Sequence, residues 1–295
     1  MIRPFQIAVN IAACIVALLP LAIPVAGRAA SDADLAPLAA NSPLAGRLGA
    51  VGMILAGSAE RPRALGTGFL VTPCHVLTAA HVLARSGFPV ETGMPARFVP
   101  SSGERAFALG RHAVEGRVVV AGTGFVAGGA SATRDPAQVA GDWALLELEA
   151  PLAGVDPIHL LYPGASVGID TPVSAIGYAA SASMTYLYAH ENCRRREDAH
   201  SGRFASQMLL ADCAVRPGMS GGPLLLEGSD RSLIAAGVLA ERIQMGQRVL
   251  AVAVPVPAFA ATIAPLIRQS QRCAAGAPFA VPPGASAPDA RGEKQ

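Results

Sequence analysis

The chain has 295 residues and a formal net charge of +2, with 52% hydrophobic and 15% charged residues. That mixture fills a core and excludes an intrinsically disordered chain, and the length sets one or two domains as the range. A charge so near zero gives no footing for nucleic acid or for an anionic lipid surface.

Arg3 is the only charge before an apolar run from Ile7 to about Ala26, which Pro20 and Pro24 break near its end. Small residues follow at Ala26, Gly27, Ala29 and Ala30, then polar Ser31 and Asp32. This is the layout of a secretory signal peptide over residues 1–30, and it predicts a periplasmic or secreted protein with no stable membrane association after cleavage. An uncleaved anchor is the rival, since about 20 apolar residues can span a bilayer; the prolines and small residues favour cleavage. Residues 31–45, rich in Ala, Pro and Ser, read as a linker. Downstream of the leader lie Cys74, Cys193, Cys213 and Cys273. An even set in an exported chain predicts two disulfides, with three pairings open.

From Val51 onward, short apolar runs alternate with turn residues: Val51–Ala56, Thr67–Val71, Val118–Val120, Trp143–Leu148, Val173–Ile176, Ser206–Leu210, Pro223–Leu226, Leu233–Leu239 and Val249–Val254. Many short strands with regular turn signals predict an all-β sandwich or barrel. Near the end, Pro257 can open a helix, and Phe259, Ile263, Leu266 and Ile267 fall at helical spacing. The remainder, residues 269–295, reads as a disordered tail. The basic run Arg194–Arg196 reads as a solvated loop.

Three stretches carry chemistry. Thr78-Ala79-Ala80-His81 presents a histidine after a hairpin, and histidine is the commonest general base near neutral pH. Gly141-Asp142-Trp143-Ala144-Leu145 sets an aspartate at the mouth of an apolar strand, where it can fix the tautomer of a histidine. Gly218-Met219-Ser220-Gly221-Gly222-Pro223 flanks a serine with glycines, which let backbone N–H groups approach an oxyanion. A lone histidine is more often structural, and a lone aspartate before a strand is a common turn residue; the three together are specific.

These stretches, in the order His, Asp, Ser, resemble the three boxes of the chymotrypsin/trypsin family of serine peptidases, especially its shorter bacterial branch. The resemblance covers residues 46–268. It implies two packed six-stranded antiparallel β-barrels with a C-terminal helix, and a catalytic triad of His81, Asp142 and Ser220 in the cleft between the barrels. It implies oxyanion donors at the N–H groups of Gly218 and Ser220, a protein or peptide substrate, and no cofactor or metal. Its substrate pocket maps onto Ala214, Val215, Gly237, Val238 and Leu239, an uncharged set suited to small or medium apolar side chains; Arg216 and Arg242 are the neighbours that would instead favour acidic ones. For the disulfides, the loop returning to the serine box suggests Cys193–Cys213. The packing of the C-terminal helix in relatives suggests Cys74–Cys273. Met219 departs from the family, whose zymogen-activated members carry aspartate there, and Cys213 lies farther from the serine than in trypsins.

Two other readings compete. Gly218-x-Ser220-x-Gly222 also fits the nucleophile elbow of α/β-hydrolases, but those run serine, acid, histidine, and no histidine follows Ser220. A non-catalytic binding protein on the same fold keeps the architecture without the chemistry. The six histidines form no metal-binding pattern.

Overall fold

The computed structural model describes residues 35–38, 42–56, 63–84, 89–101, 113–123, 136–180, 184, 186–197, 207–245, 248–270 and 279–280. The expected signal peptide, residues 1–30, and Cys273 lie outside these residues. Among the described residues, no helix is long and apolar enough to cross a membrane.

The first barrel is built from β2 (Val51–Ala56), β3 (Arg63–Thr72), β4 (His75–Thr78), β5 (Pro95–Pro100), β6 (Val114–Ala121) and β7 (Ala144–Leu148). It closes in the order β2-β3-β4-β7-β6-β5. Closure leaves no bare strand edge, so every ladder group has a partner. On its strands Met53, Ile54, Phe69, Leu77, Phe98 and Leu145 are all fully buried. Two short helices interrupt it: α1 (Ala80–Leu83), directly after β4, and α2 (Pro136–Ala140), directly before β7.

The second barrel contains β9 (Pro172–Tyr178), β10 (Leu187–Arg196), β11 (Leu209–Ala211), β12 (Pro223–Glu227), β13 (Leu233–Met245) and β14 (Arg248–Pro255). Its order is β12-β9-β10-β11-β14-β13, and the β12–β13 pairing closes the ring. All six of its pairings are antiparallel. The predicted two-barrel, all-β architecture is therefore the observed one. The barrels meet through β9, which touches both β2 and β3.

The predicted helix is α3 (Ala260–Gln269), which buries Ile263 and Ile267. Pro257 lies one turn earlier, in a 3-10 helix. Phe259, at the N-cap of α3, stacks on Trp143 with ring centroids 4.6 Å apart. The Ser270 hydroxyl donates to Glu147 at 2.7 Å. The C-terminal helix is thus fastened to the barrel that carries His81 and Asp142, one contact being with Trp143, the residue after Asp142.

Three segments differ from expectation. Within the expected linker, residues 31–45, β1 (Ala36–Pro37) pairs with β10, Leu35 is buried, and Leu44 joins the core. Within the presumed tail, β15 (Phe279–Ala280) runs parallel to β8 (His159–Leu161), which itself pairs with β13. Both additions are backbone pairings onto exposed edges, and such pairing leaves no hydrophobic periodicity to read. The run Arg194–Arg196 ends strand β10 rather than forming a loop: the Arg194 N–H and the Arg196 guanidinium bond Asp212, and Arg196 also pairs with Asp170.

Candidate active site

His81 sits in α1, one residue past the helix start, because β4 ends at Thr78 and the chain turns at Ala79. Asp142 precedes β7, which pairs with β4. That pairing joins the two loops at one end of the first barrel. The aspartate has no exposed surface and spends both oxygens on the histidine. Oδ1 accepts the His81 backbone N–H at 2.8 Å, and Oδ2 accepts from Nδ1 at 2.7 Å. A carboxylate oxygen only accepts, so Nδ1 carries the proton and Nε2 keeps its lone pair. The imidazole remains 23% exposed and lines the cleft.

Ser220 arrives from the second barrel on the turn before β12 and lines the same cleft as His81. Its carbonyl accepts the N–H of Thr67 in β3 at 2.8 Å, which ties the serine turn to the first barrel. Gly221 follows at φ +83°, a conformation that glycine adopts without steric cost, and a Cβ there would lie 2.1 Å from the Thr67 carbonyl.

The backbone donors of this turn can be accounted for one by one. Met219 N–H bonds Arg216 O, Gly221 N–H bonds Leu239 O, and Gly222 N–H bonds Met219 O. Among the described residues, the N–H groups of Gly218 and Ser220 have no protein acceptor. The Pro217 carbonyl accepts from Ala180 N–H at 2.8 Å. A trans peptide points its N–H opposite its carbonyl, so this bond turns the Gly218 N–H away from Ala180. Gly218 itself has φ +97°.

The sequence profile of the trypsin-like peptidase domain matches residues 66–235, more than half of the chain. The chain belongs to the trypsin-like peptidase family. No curated protein matches it. It is a serine-protease domain by family, and both the histidine and serine turns fall within the matched span. Met219, where zymogen-type members of this family have aspartate, is 1% exposed, and its sulfur receives the Arg216 N–H at 3.4 Å. Gly177 makes the room: a Cβ there would come within 2.8 Å of Met219 Cα.

The cleft of this trypsin-like domain has a volume of about 260 Å³. Of the five residues expected around it, Val215 and Leu239 line it; Ala214, Gly237 and Val238 do not. The correction is one of register. Strand β12 starts at Pro223, opposite Val238, so Gly237 and Val238 are still hemmed between β12 and β14. Past that point the flank of β13 is the serine turn, with Gly221 N–H donating to Leu239 O and Leu239 N–H to Gly222 O, and after a register break between Leu239 and Glu241 the stretch Leu239 to Arg242 lines the cleft. Ala214 turns inward, 2% exposed, and its N–H donates to His190 Nδ1 at 2.7 Å. The cleft wall is therefore less neutral than expected, with Arg216, Glu241 and Arg242 among its residues. Arg216 and Arg242 are the neighbours that the sequence already offered; Glu241, one residue beyond Ala240 on β13, is the added one.

Cys193 and Cys213 form a disulfide across β10 and the chain leaving β11, with Cα atoms 5.1 Å apart. Cys74 is also disulfide-bonded; Cys273, its expected partner, lies outside the described residues. Among the described residues, no group of three or more His, Cys, Asp or Glu is placed to hold a metal.

Proposed function

We propose that the protein is an exported serine endopeptidase that cleaves protein or peptide substrates through His81, Asp142 and Ser220. The observation that carries this reading is the two-point grip of the buried Asp142 on His81, which presets the imidazole as a base on the side facing the Ser220 cleft. Ser220 Oγ attacks the peptide carbonyl while His81 Nε2 takes its proton. Asp142 stabilises the imidazolium. The developing oxyanion is received by the N–H groups of Gly218 and Ser220, the two donors of the turn left unspent. His81 then protonates the leaving amine, and water attacks the acyl-enzyme by the same route in reverse roles.

Export is supported by the leader-like residues 1–30 and by the disulfide Cys193–Cys213, a bond that persists in oxidising compartments. For the side chain before the cut, Val215 and Leu239 favour small or medium apolar groups by burial. One methylene is worth only about 1–3 kcal/mol there, so selectivity is loose.

The test is a fluorophosphonate probe together with a peptide library, applied to the full chain and to Ser220→Ala. Wild type labels and cleaves; Ser220→Ala does neither. No labelling of folded wild type would instead support a binding protein on a protease scaffold. Cleavage by Ser220→Ala would overturn the assignment of the nucleophile.

A further inference from the structure

The serine turn holds its shape across a barrel boundary, and most of that hold passes through one residue. Thr67 lies in β3 of the first barrel and has no exposed surface. Its hydroxyl donates to Gly218 O at 2.8 Å and accepts the N–H of Tyr178, in β9 of the second barrel, at 2.9 Å. Its own N–H donates to Ser220 O at 2.8 Å, and its carbonyl accepts from Thr78 Oγ1 at 2.7 Å. A hydroxyl has one hydrogen to give. Here it is given to the carbonyl of Gly218, whose N–H is one of the two unspent donors of the turn.

The geometry around Gly218 explains why such a clamp matters. A glycine at φ +97° is free to rotate, and its two flanking peptides set where its N–H points. The peptide before it is held by Ala180 N–H on the Pro217 carbonyl. The peptide after it is held by the Thr67 hydroxyl. Neither restraint uses a charge. Met219 fills the interior with an apolar side chain. The turn is thus assembled from neutral hydrogen bonds that exist in the intact chain.

We propose that Thr67 is a positioning residue for the oxyanion donors: its hydroxyl fixes the Gly218–Met219 peptide and so keeps the Gly218 N–H directed at the site where negative charge develops. The role rests on the serine-protease reading above and adds to it a residue that never touches the substrate. Removing the hydroxyl while keeping the shape, as in Thr67→Val, takes the partner from the part-buried Gly218 carbonyl and from the buried Tyr178 N–H and frees the glycine to turn. Deleting one oxyanion donor costs about 10²- to 10³-fold in kcat, and a loosened donor falls toward the lower end of that range.

The experiment compares full-length wild type, Thr67→Val and Thr67→Ser with a cleavable peptide and with a peptide aldehyde, whose adduct with Ser220 carries the oxyanion. Expected for Thr67→Val is a kcat loss on the order of 10²-fold, KM within about threefold, and aldehyde affinity weakened in step with kcat/KM. Thr67→Ser, which keeps the donor and the acceptor, retains kcat within about threefold. A merely structural role would lower the melting temperature and the active fraction, while active-site titration of the folded fraction would return wild-type kcat and aldehyde affinity. That result would overturn the proposal. So would a kcat loss on the order of 10²-fold in Thr67→Ser, an arm that is informative even if the valine variant does not fold. Inactive wild type would sink the protease reading; active wild type with an equally active Thr67→Val would sink this one alone.

Discussion

Replacing Asp142 by asparagine tests the histidine geometry most sharply, because both carboxylate oxygens are committed to His81. One partner is a backbone N–H, which cannot do anything but donate; the other is a ring nitrogen, which can change tautomer. The asparagine amide has one oxygen and one NH₂. With its oxygen toward the backbone donor, the NH₂ faces Nδ1, and the ring proton moves to Nε2, where it disables the base. The opposite orientation sets two donors against each other in a site with no solvent exposure. Burying an unpaired donor costs about 1–3 kcal/mol, so the disabled tautomer is favoured by about 5- to 150-fold. The carboxylate charge that steadies the imidazolium is lost as well, and a hydrogen bond to a charged group is worth about 1.5–3 kcal/mol, or roughly 10- to 150-fold. Together kcat falls by about 10²- to 10⁴-fold; the same change in the well-studied triad costs about 10⁴. Steady-state kinetics on the purified variant, with thermal unfolding as the control for fold, reads it. A variant melting near wild type and retaining more than a tenth of its kcat would refute the tautomer argument.

Other outcomes follow from the scaffold. The double variant Cys193→Ser/Cys213→Ser opens a loop with 20 residues of separation, which in the chain-entropy picture costs about 3 kcal/mol; urea unfolding of the two proteins measures it. His75 is buried at the start of β4 with Nδ1 against the Thr72 hydroxyl, and burial pushes its pKa below the usual 6.5, partly offset by Glu147. The unfolded chain therefore takes up that proton first. The histidine's contribution to stability is complete above pH 6.5 and is lost as the pH falls from there through the folded-state value, with a slope of at most about 1.4 kcal/mol per pH unit. Urea unfolding between pH 8 and pH 5 should show that slope in wild type and lose it in His75→Asn; equal slopes would place the proton uptake elsewhere.

The proposed catalytic residues were legible because each needs a local backbone that only certain neighbours permit. Gly221 is the clear case: its positive φ and its contact with the Thr67 carbonyl exclude any side chain, so the glycine beside the serine is a geometric requirement written into the sequence. The strands with one apolar face were legible for the same local reason. Strand β5 was missed because Pro95 and Pro100 bracket it and read as breaks. Strand β10 was missed because charged residues crowd its second half, where only Cys193 is buried among six residues from Glu191.

What remained hidden was whatever depends on a partner far along the chain. Thr67 looked like a strand residue between two glycines, and nothing nearby says that its hydroxyl meets Gly218, 151 residues later. The cleft wall was misplaced by the same blindness. Leu239 to Arg242 line the cleft because β12 begins only at Pro223, so that beyond Val238 the serine turn, bonded to Leu239, flanks β13 in place of a strand. The end of one strand thus decides which residues of another meet the substrate. Glu241, 9% exposed beside Val215 and Leu239, enters the cleft through that topology and through no property of its own neighbourhood. Catalytic residues in this fold are constrained by the turns that carry them, and so they leave local signatures. Residues that tune or position them are constrained by contacts between barrels, and they become visible only once both barrels are closed.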